Sequence, residues 1–199
     1  VNDEVLKTIG RKHTAQQFFD AFELARKCGF DNINTDLIAG LPTDTPESFK
    51  NSLDSIVRLN AECITVHTLC MKRASRLTTE GVTLDLQQAR DAREMLAYTQ
   101  NILGQNEYIP YYMYRQSRMV GNLENVGWSK KGFESLHNVY VMDETHTILA
   151  CGSGGVTKLK RNNPDYLERI FNFKYPYEYI DRFDELIQRK SGIMQFYGQ

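Results

Sequence analysis

The chain has 199 residues, 41% hydrophobic and 25% charged, with a formal net charge of -1, which is enough for one or two globular domains with a sizeable core. The near-zero charge removes the bulk electrostatic case for nucleic acid or an anionic membrane as partner. No run reaches the roughly 18 apolar residues of a membrane span.

Cys28, Cys63, Cys70 and Cys151 stand 35, 7 and 81 residues apart. That spacing matches no CxxC, zinc or cluster motif, so reduced thiols in a cytoplasmic protein are expected. Val1 opens directly into a helical pattern without a methionine, which predicts a piece of a longer protein.

In chain order, Asp3 to Ile9 reads as a short helix, followed by a loop with Gly10, Arg11, Lys12 and His13. Thr14 with Gln17 three residues on is a capping box for a second helix whose face carries Phe18, Phe22 and Ala25 and which Gly29 stops. Phe30 to Ala39 is expected as a strand, with Leu37, Ile38 and Ala39 forming an apolar run without alternation, the mark of burial on both faces. Thr45 and Pro46 start a third helix with Phe49, Leu53, Ile56 and Val57 at helical spacing.

Cys63 to Leu69 is a second strand, and the β-α-β-α order predicts parallel pairing as in a barrel or doubly wound sheet. Met71 to Thr83 reads as a polar loop, Leu86 to Asn106 as a long helix, and Tyr108 to Tyr114 as a tyrosine-rich third strand. The pattern then changes. Gln116 to Gly132 is polar, while Leu136 to Met142 and Thr147 to Cys151 read as an antiparallel pair. A Gly-Ser-Gly-Gly turn occupies 152 to 155, Ile170 to Phe173 looks extended, and a helix is expected from Pro176 to Arg189 with Ile180, Phe183 and Ile187 inward. These readings predict a first domain over 1–115 and a smaller α+β domain over 116–199.

Asp36 and Arg11 form the sharpest pair. A strand-end carboxylate accepts hydrogen bonds from a diol, and a loop guanidinium clamps a carboxylate. The alternative is that the two bond each other or backbone. Glycines 152, 154 and 155 either cradle an anion or make a plain turn, and they do not fit GxGxxG before a helix. His67 reads as a hydrogen-bonded core histidine, the tyrosines at 108, 111, 112 and 114 as core and sheet surface, and Lys158, Lys160 and Arg161 as a solvated face or a contact for a polycarboxylate. No metal-ligand spacing stands out.

Leu6-Lys7-Thr8-Ile9-Gly10-Arg11-Lys12-His13-Thr14, Asn34-Thr35-Asp36-Leu37-Ile38-Ala39-Gly40-Leu41-Pro42 and Thr45-Pro46-Glu47-Ser48-Phe49 resemble, in that order, the oxygen-independent coproporphyrinogen III oxidases, which are radical SAM enzymes of haem biosynthesis. Tyr111 to Gln116 and Gly121-Asn122-Leu123-Glu124-Asn125-Val126-Gly127 resemble the bacterial coproporphyrinogen dehydrogenase branch. The resemblance implies the C-terminal portion of an incomplete (β/α)6 radical SAM barrel followed by a small mixed α+β domain. It also implies S-adenosylmethionine as cofactor, with Arg11 and Asp36 among its contacts and Cys70 and Val156 touching it through backbone or apolar contact.

A 4Fe-4S cluster is implied as well. The CxxxCxxC motif that holds it is absent here and belongs upstream in the family, so this piece alone is expected to be inactive. The resemblance further implies a tetrapyrrole substrate and an electron donor such as a flavodoxin. The implied reaction uses a 5'-deoxyadenosyl radical to convert two propionates of coproporphyrinogen III to vinyls. Two alternatives stand beside it, a haem chaperone and a haem-modifying radical SAM enzyme. The chaperone carries His-Asn-x-x-Tyr-Trp, and this chain has His137-Asn138-Val139-Tyr140-Val141, with tyrosine one place early and no tryptophan.

Overall fold

The structure is a computed structural model that describes residues 1–70, 86–115, 119–162 and 165–198. The polar loop expected from Met71 to Thr83 lies outside the described residues. The chain divides into two compact units, Val1–Ser135 and Leu136–Gln199. No helix among the described residues is long and apolar enough to cross a membrane.

The first unit opens with α1 (Asp3–Thr8), capped by Asn2 Oδ1, which accepts from the Glu4 and Val5 amides. In α2 (Ala15–Lys27) both halves of the capping box form, Thr14 Oγ1 accepting from Gln17 N at 3.2 Å and Gln17 Oε1 from Thr14 N at 2.9 Å. Strand β1 (Asn34–Ala39) leads to α3 (Pro46–Arg58), where Thr45 caps Ser48 N and Pro46 fills the first turn. Then come β2 (Cys63–Thr68), the long α4 (Leu86–Gln105), β3 (Tyr108–Tyr114), a 3-10 turn (Val120–Asn122) and β4 (Asn125–Lys130).

These strands form one sheet in the order β1-β2-β4-β3. β1 and β2 run parallel, with Asp36 beside Thr65 and Ile38 beside His67. β4 is antiparallel to both β2 and β3, so β3 keeps the direction of β1 and β2 but stands one strand further off. Strand β4 falls inside the segment expected to be polar loop. Its residues alternate, Val126 and Trp128 toward the helices and Asn125, Gly127 and Ser129 away, and this period-2 pattern with a central glycine hides a strand in a polar composition. Because β4 belongs to this sheet, and Phe133 O accepts from both Asn32 Nδ2 (3.1 Å) and Cys63 Sγ (3.0 Å), the first unit runs on to Ser135 rather than ending at 115.

One face of the sheet is covered. Leu37 and Ala39, Ile64 and Val66, and Trp128 pack with Phe22, Phe49, Leu53, Ile56, Met95 and Leu103 of α2, α3 and α4. Fully burying one such side chain contributes about 1.5–3 kcal/mol. Tyr108 joins this core with its hydroxyl on Ala61 O at 2.5 Å, and burial pushes its phenol up to about 12. β1 is therefore covered on one face rather than two: Thr35, Leu37 and Ala39 are buried, while Asn34 and Asp36 are exposed. The expectation of a doubly buried strand fails because Asn34 and Asp36 occupy the alternate positions, and Ile38, half-buried, packs on a small separate cluster of Leu69, Ala92 and Val120 rather than on the main core.

The second unit contains α5 (Leu136–Asp143), the antiparallel hairpin β5 (Val156–Asn162) and β6 (Asp165–Phe171), and α6 (Pro176–Asp181), α7 (Phe183–Lys190) and α8 (Gly192–Gly198). The expected antiparallel pair is not formed. Leu136 to Met142 is helical, since Leu136, Val139 and Tyr140 recur at helical rather than alternating spacing, and Ile148 makes a single bridge to Lys158. The expected closing helix is broken at Arg182 (φ -114, ψ 32). That break turns Leu186 inward and leaves Ile180, Phe183 and Ile187 exposed, the reverse of the expectation.

Candidate functional site

A cavity of about 310 Å³ runs along β1. Asp36, Leu37 and Ile38 all line it, and consecutive strand residues point to opposite faces, so the cavity follows the strand's outer edge. Arg11 and His13, from the loop between α1 and α2, line it too, as do Asp44 and the apolar Phe18, Phe49 and Ile56. The sharpest sequence pair thus meets one cavity although 25 residues separate its members.

The two do not bond each other. Arg11 makes no ion pair with the described residues, and a guanidinium free of a partner is suited to an incoming carboxylate. Asp36 stands on the edge strand with its side chain 60% exposed. His67, with Nε2 at 3.9 Å from Asp36 Oδ1, holds this carboxyl below the usual value of 3.8, assisted by the Asn34 amide at 2.8 Å and by Thr65, against some desolvation. Asp36 therefore stays an acceptor-only group over the physiological range.

Behind Asp36 the polar face forms a connected network. Asn34 Oδ1 accepts from Thr65 Oγ1 at 3.1 Å, and Thr65 Oγ1 meets the Tyr112 hydroxyl at 3.2 Å. The Tyr112 ring lies across Gly127, where an added Cβ would sit 1.8 Å from it, so glycine is what lets β3 reach over β4 to β2. Tyr114 stacks on Tyr112 with centroids 6.3 Å apart, and its hydroxyl is 3.5 Å from His67 Nδ1. Burial pushes the phenols of both Tyr112 and Tyr114 up, keeping them neutral donors.

His67 and these tyrosines, read from sequence as core and sheet surface, thus belong to one constellation with Asp36. Polar residues two apart in each strand, Asn34/Asp36, Thr65/His67 and Tyr112/Tyr114, were the signal that could have found it. His13 and Asp44 were missed as well. Burial raises the Asp44 carboxyl, and its Oδ1 is buried without a hydrogen-bond partner.

Cys70 follows β2, half-buried and bridged to Met119, and is not among the residues lining the cavity. Val156 opens β5 in the second unit and is half-buried. Both remain contacts implied by the resemblance alone. The glycine turn is a plain turn whose amides are used internally: Gly152 N donates to the Tyr179 hydroxyl, Gly154 N to Phe173 O and Gly155 N to Gly152 O. The basic run is engaged too, Lys158 with Glu144, Lys160 with Asp165 and Arg161 with Phe196 O.

Residues 1–56 match the family model of the radical SAM superfamily. The solved coproporphyrinogen III oxidase HemN of Escherichia coli, titled a radical SAM enzyme, superposes with a TM-score of 0.64 at 19% identity, over 92% of this chain and 41% of that one. The sheet and its helices are accordingly a section of the incomplete radical SAM barrel, followed by a small mixed α+β unit.

Among curated proteins, the chain is 37% identical over 193 residues to the oxygen-independent coproporphyrinogen-III oxidase-like protein HemZ of Bacillus subtilis, covering 97% of this chain and 38% of HemZ. It is 32% identical over 171 residues to the haem chaperone HemW of Lactococcus lactis, covering 81% of this chain and 41% of HemW. Over most of its length the chain is thus similar to oxygen-independent coproporphyrinogen III oxidase-like proteins and haem chaperones, and its first 56 residues to the radical SAM superfamily. It spans about two fifths of the length of the curated relatives just named.

Proposed function

We propose that this chain serves a radical SAM enzyme acting on a tetrapyrrole, and that the cavity along β1 receives S-adenosylmethionine. The observation that carries this reading is the shared cavity of Arg11 and Asp36, with Arg11 unpaired among the described residues and Asp36 held ionised. The donor set fits the cofactor's chemistry. Arg11 is suited to the amino-acid carboxylate by a paired hydrogen bond, and Asp36 accepts from the ribose hydroxyls. Phe18, Phe49 and Ile56 supply the apolar wall that limits water.

When bound, S-adenosylmethionine and a reduced 4Fe-4S cluster supply the radical that begins hydrogen abstraction. Among the described residues no group of three or more His, Cys, Asp or Glu is arranged to hold a metal. The reaction proposed for the whole protein is the oxidative decarboxylation of two propionates of coproporphyrinogen III to vinyls, with electrons from a reducing partner such as a flavodoxin.

The test is calorimetric cofactor affinity together with the unfolding midpoint for Asp36→Asn and Arg11→Ala in the full-length protein. Each substitution is expected to lose about 1–3 kcal/mol of binding, the range for a hydrogen bond to a charged group, with little change in midpoint. Unchanged affinity with a large drop in midpoint would overturn the reading.

A second reading, haem binding without oxidation, is supported by the match to a haem chaperone over most of this chain. Haem titration followed by the Soret band, and product analysis with coproporphyrinogen III, separate the two: tight haem binding without turnover selects the chaperone.

A further inference from the structure

We infer that His67, oriented by Tyr114, is a positioning residue that holds Asp36 for its ligand; the inference rests on the cofactor reading of Asp36. Three strands build the arrangement. The parallel register sets Asp36 beside Thr65 and Ile38 beside His67, which brings the imidazole diagonally to the carboxylate, Nε2 to Oδ1 at 3.9 Å. On the other side of the ring, Nδ1 faces the Tyr114 hydroxyl at 3.5 Å. Tyr114 is in turn fixed by stacking on Tyr112, whose hydroxyl bonds Thr65 across Gly127.

The chemistry follows from the two ring nitrogens. A neutral phenol donates to an unprotonated Nδ1, and the proton of the neutral imidazole then resides on Nε2, the nitrogen that faces Asp36. Tyr114 thereby selects the tautomer that presents a donor to the carboxylate. With the Asn34 amide bonded to Oδ1 and His67 Nε2 facing the same oxygen at 3.9 Å, both groups favour one orientation of the carboxylate that lines the cavity. Without His67, the Asn34 amide is the closer of its two anchors left, and a side chain 60% exposed regains rotational freedom that a ligand must then remove.

Fold stability does not account for the arrangement. The His67 and Asp36 side chains are 29% and 60% exposed, and pairs this open contribute little to stability. A chain of oriented groups with that exposure, ending at a cavity, is suited to a ligand.

The experiment uses the full-length protein titrated calorimetrically with S-adenosylmethionine, alongside unfolding midpoints and ¹⁵N spectra of histidine-labelled protein. His67→Ala is expected to weaken binding about tenfold, the scale of one hydrogen bond to a charged group. His67→Gln should restore it, because its amide nitrogen replaces Nε2–H, and Tyr114→Phe should weaken it a few-fold. Midpoints should move little, and the His67 ring should show the Nε2–H tautomer in the wild type and lose that preference in Tyr114→Phe.

If Asp36→Asn weakens binding and His67→Ala does not, the positioning role is overturned while the cofactor site stands. If Asp36→Asn leaves binding unchanged, the cofactor reading itself falls. Loss of midpoint in His67→Ala without rescue by His67→Gln, or an Nδ1–H tautomer in the wild type, also overturns the inference.

Discussion

The two faces of the first unit's sheet are built from the same strands and differ in almost everything else. On one face Leu37, Ala39, Ile64, Val66 and Trp128 are buried under α2, α3 and α4, where the Tyr108 hydroxyl is paired with Ala61 O and the Trp128 indole Nε1 is buried and unpaired. On the other face hydrogen bonds link Asp36 to Asn34, Asn34 to Thr65 and Thr65 to Tyr112, Tyr112 stacks on Tyr114, Tyr114 meets His67, and His67 faces Asp36 at 3.9 Å. The period of two that turns alternate residues to opposite faces separates the work. Apolar positions supply stability, and the positions between them are released to carry groups whose orientation serves a ligand.

The comparison breaks most readily on the covered face. Leu53 is fully buried in the core, and Leu53→Ala should destabilise the first unit by about 2–5 kcal/mol through lost transfer energy and the cavity left behind. Chemical denaturation measures it. Cofactor affinity of the protein that remains folded should be unaltered, because Leu53 is not among the residues lining the cavity. Reduced affinity at unchanged folded fraction would mean that the faces are coupled.

Gly127 is where the polar face most resembles a core. An added methyl would meet the Tyr112 ring at 1.8 Å, so Gly127→Ala must swing that ring away, breaking its contact with Thr65 and its stack on Tyr114. The expected cost is about 1–3 kcal/mol, the range for overpacking, read by denaturation with tyrosine near-ultraviolet dichroism reporting the ring. A loss as large as that of Leu53→Ala would place the polar face within the core and end the distinction drawn here.

What the sequence disclosed follows the reach of each interaction. The caps at Thr14 and Thr45 were legible because capping bonds span three residues, and the long helix and tyrosine strand because their patterns are continuous. Strand β4 was not, since Asn125, Gly127 and Ser129 read as loop until β2 and β3 are placed on either side. Nor was the helix at Leu136–Asp143, whose Val139, Tyr140 and Val141 favour strands by local propensity. In the site, residue type singled out Arg11 and Asp36. The link from Asp36 to His67 and Tyr114 was hidden, because it depends on the β1–β2 register and on a tyrosine passing over a glycine two strands away.

The smallest expected effect tests the polar face directly. The groups whose charge or hydrogen bonding acts on the Asp36 carboxyl are His67, Asn34 and Thr65, and the phenols of Tyr112 and Tyr114 lie close enough to feel its charge. His67 first, then Asn34, holds the folded-state carboxyl below its usual value of 3.8. As pH falls, the unfolded chain therefore takes up this proton before the folded one does, which draws the equilibrium toward unfolding. The contribution of Asp36 is complete above the unfolded value and is lost as pH falls through the lower folded value. In wild type and Asp36→Asn, the difference in unfolding free energy should be flat above about pH 5, shrink as pH drops below it and level off in strong acid. With the side chain 60% exposed the amplitude should be small, so paired denaturation curves at low ionic strength are needed. In His67→Ala the same difference should shrink further, since the first cause of the depression is gone. A large amplitude that survives His67→Ala would mean that Asp36 belongs to the stabilising face of the sheet, and that its place beside the cavity is incidental.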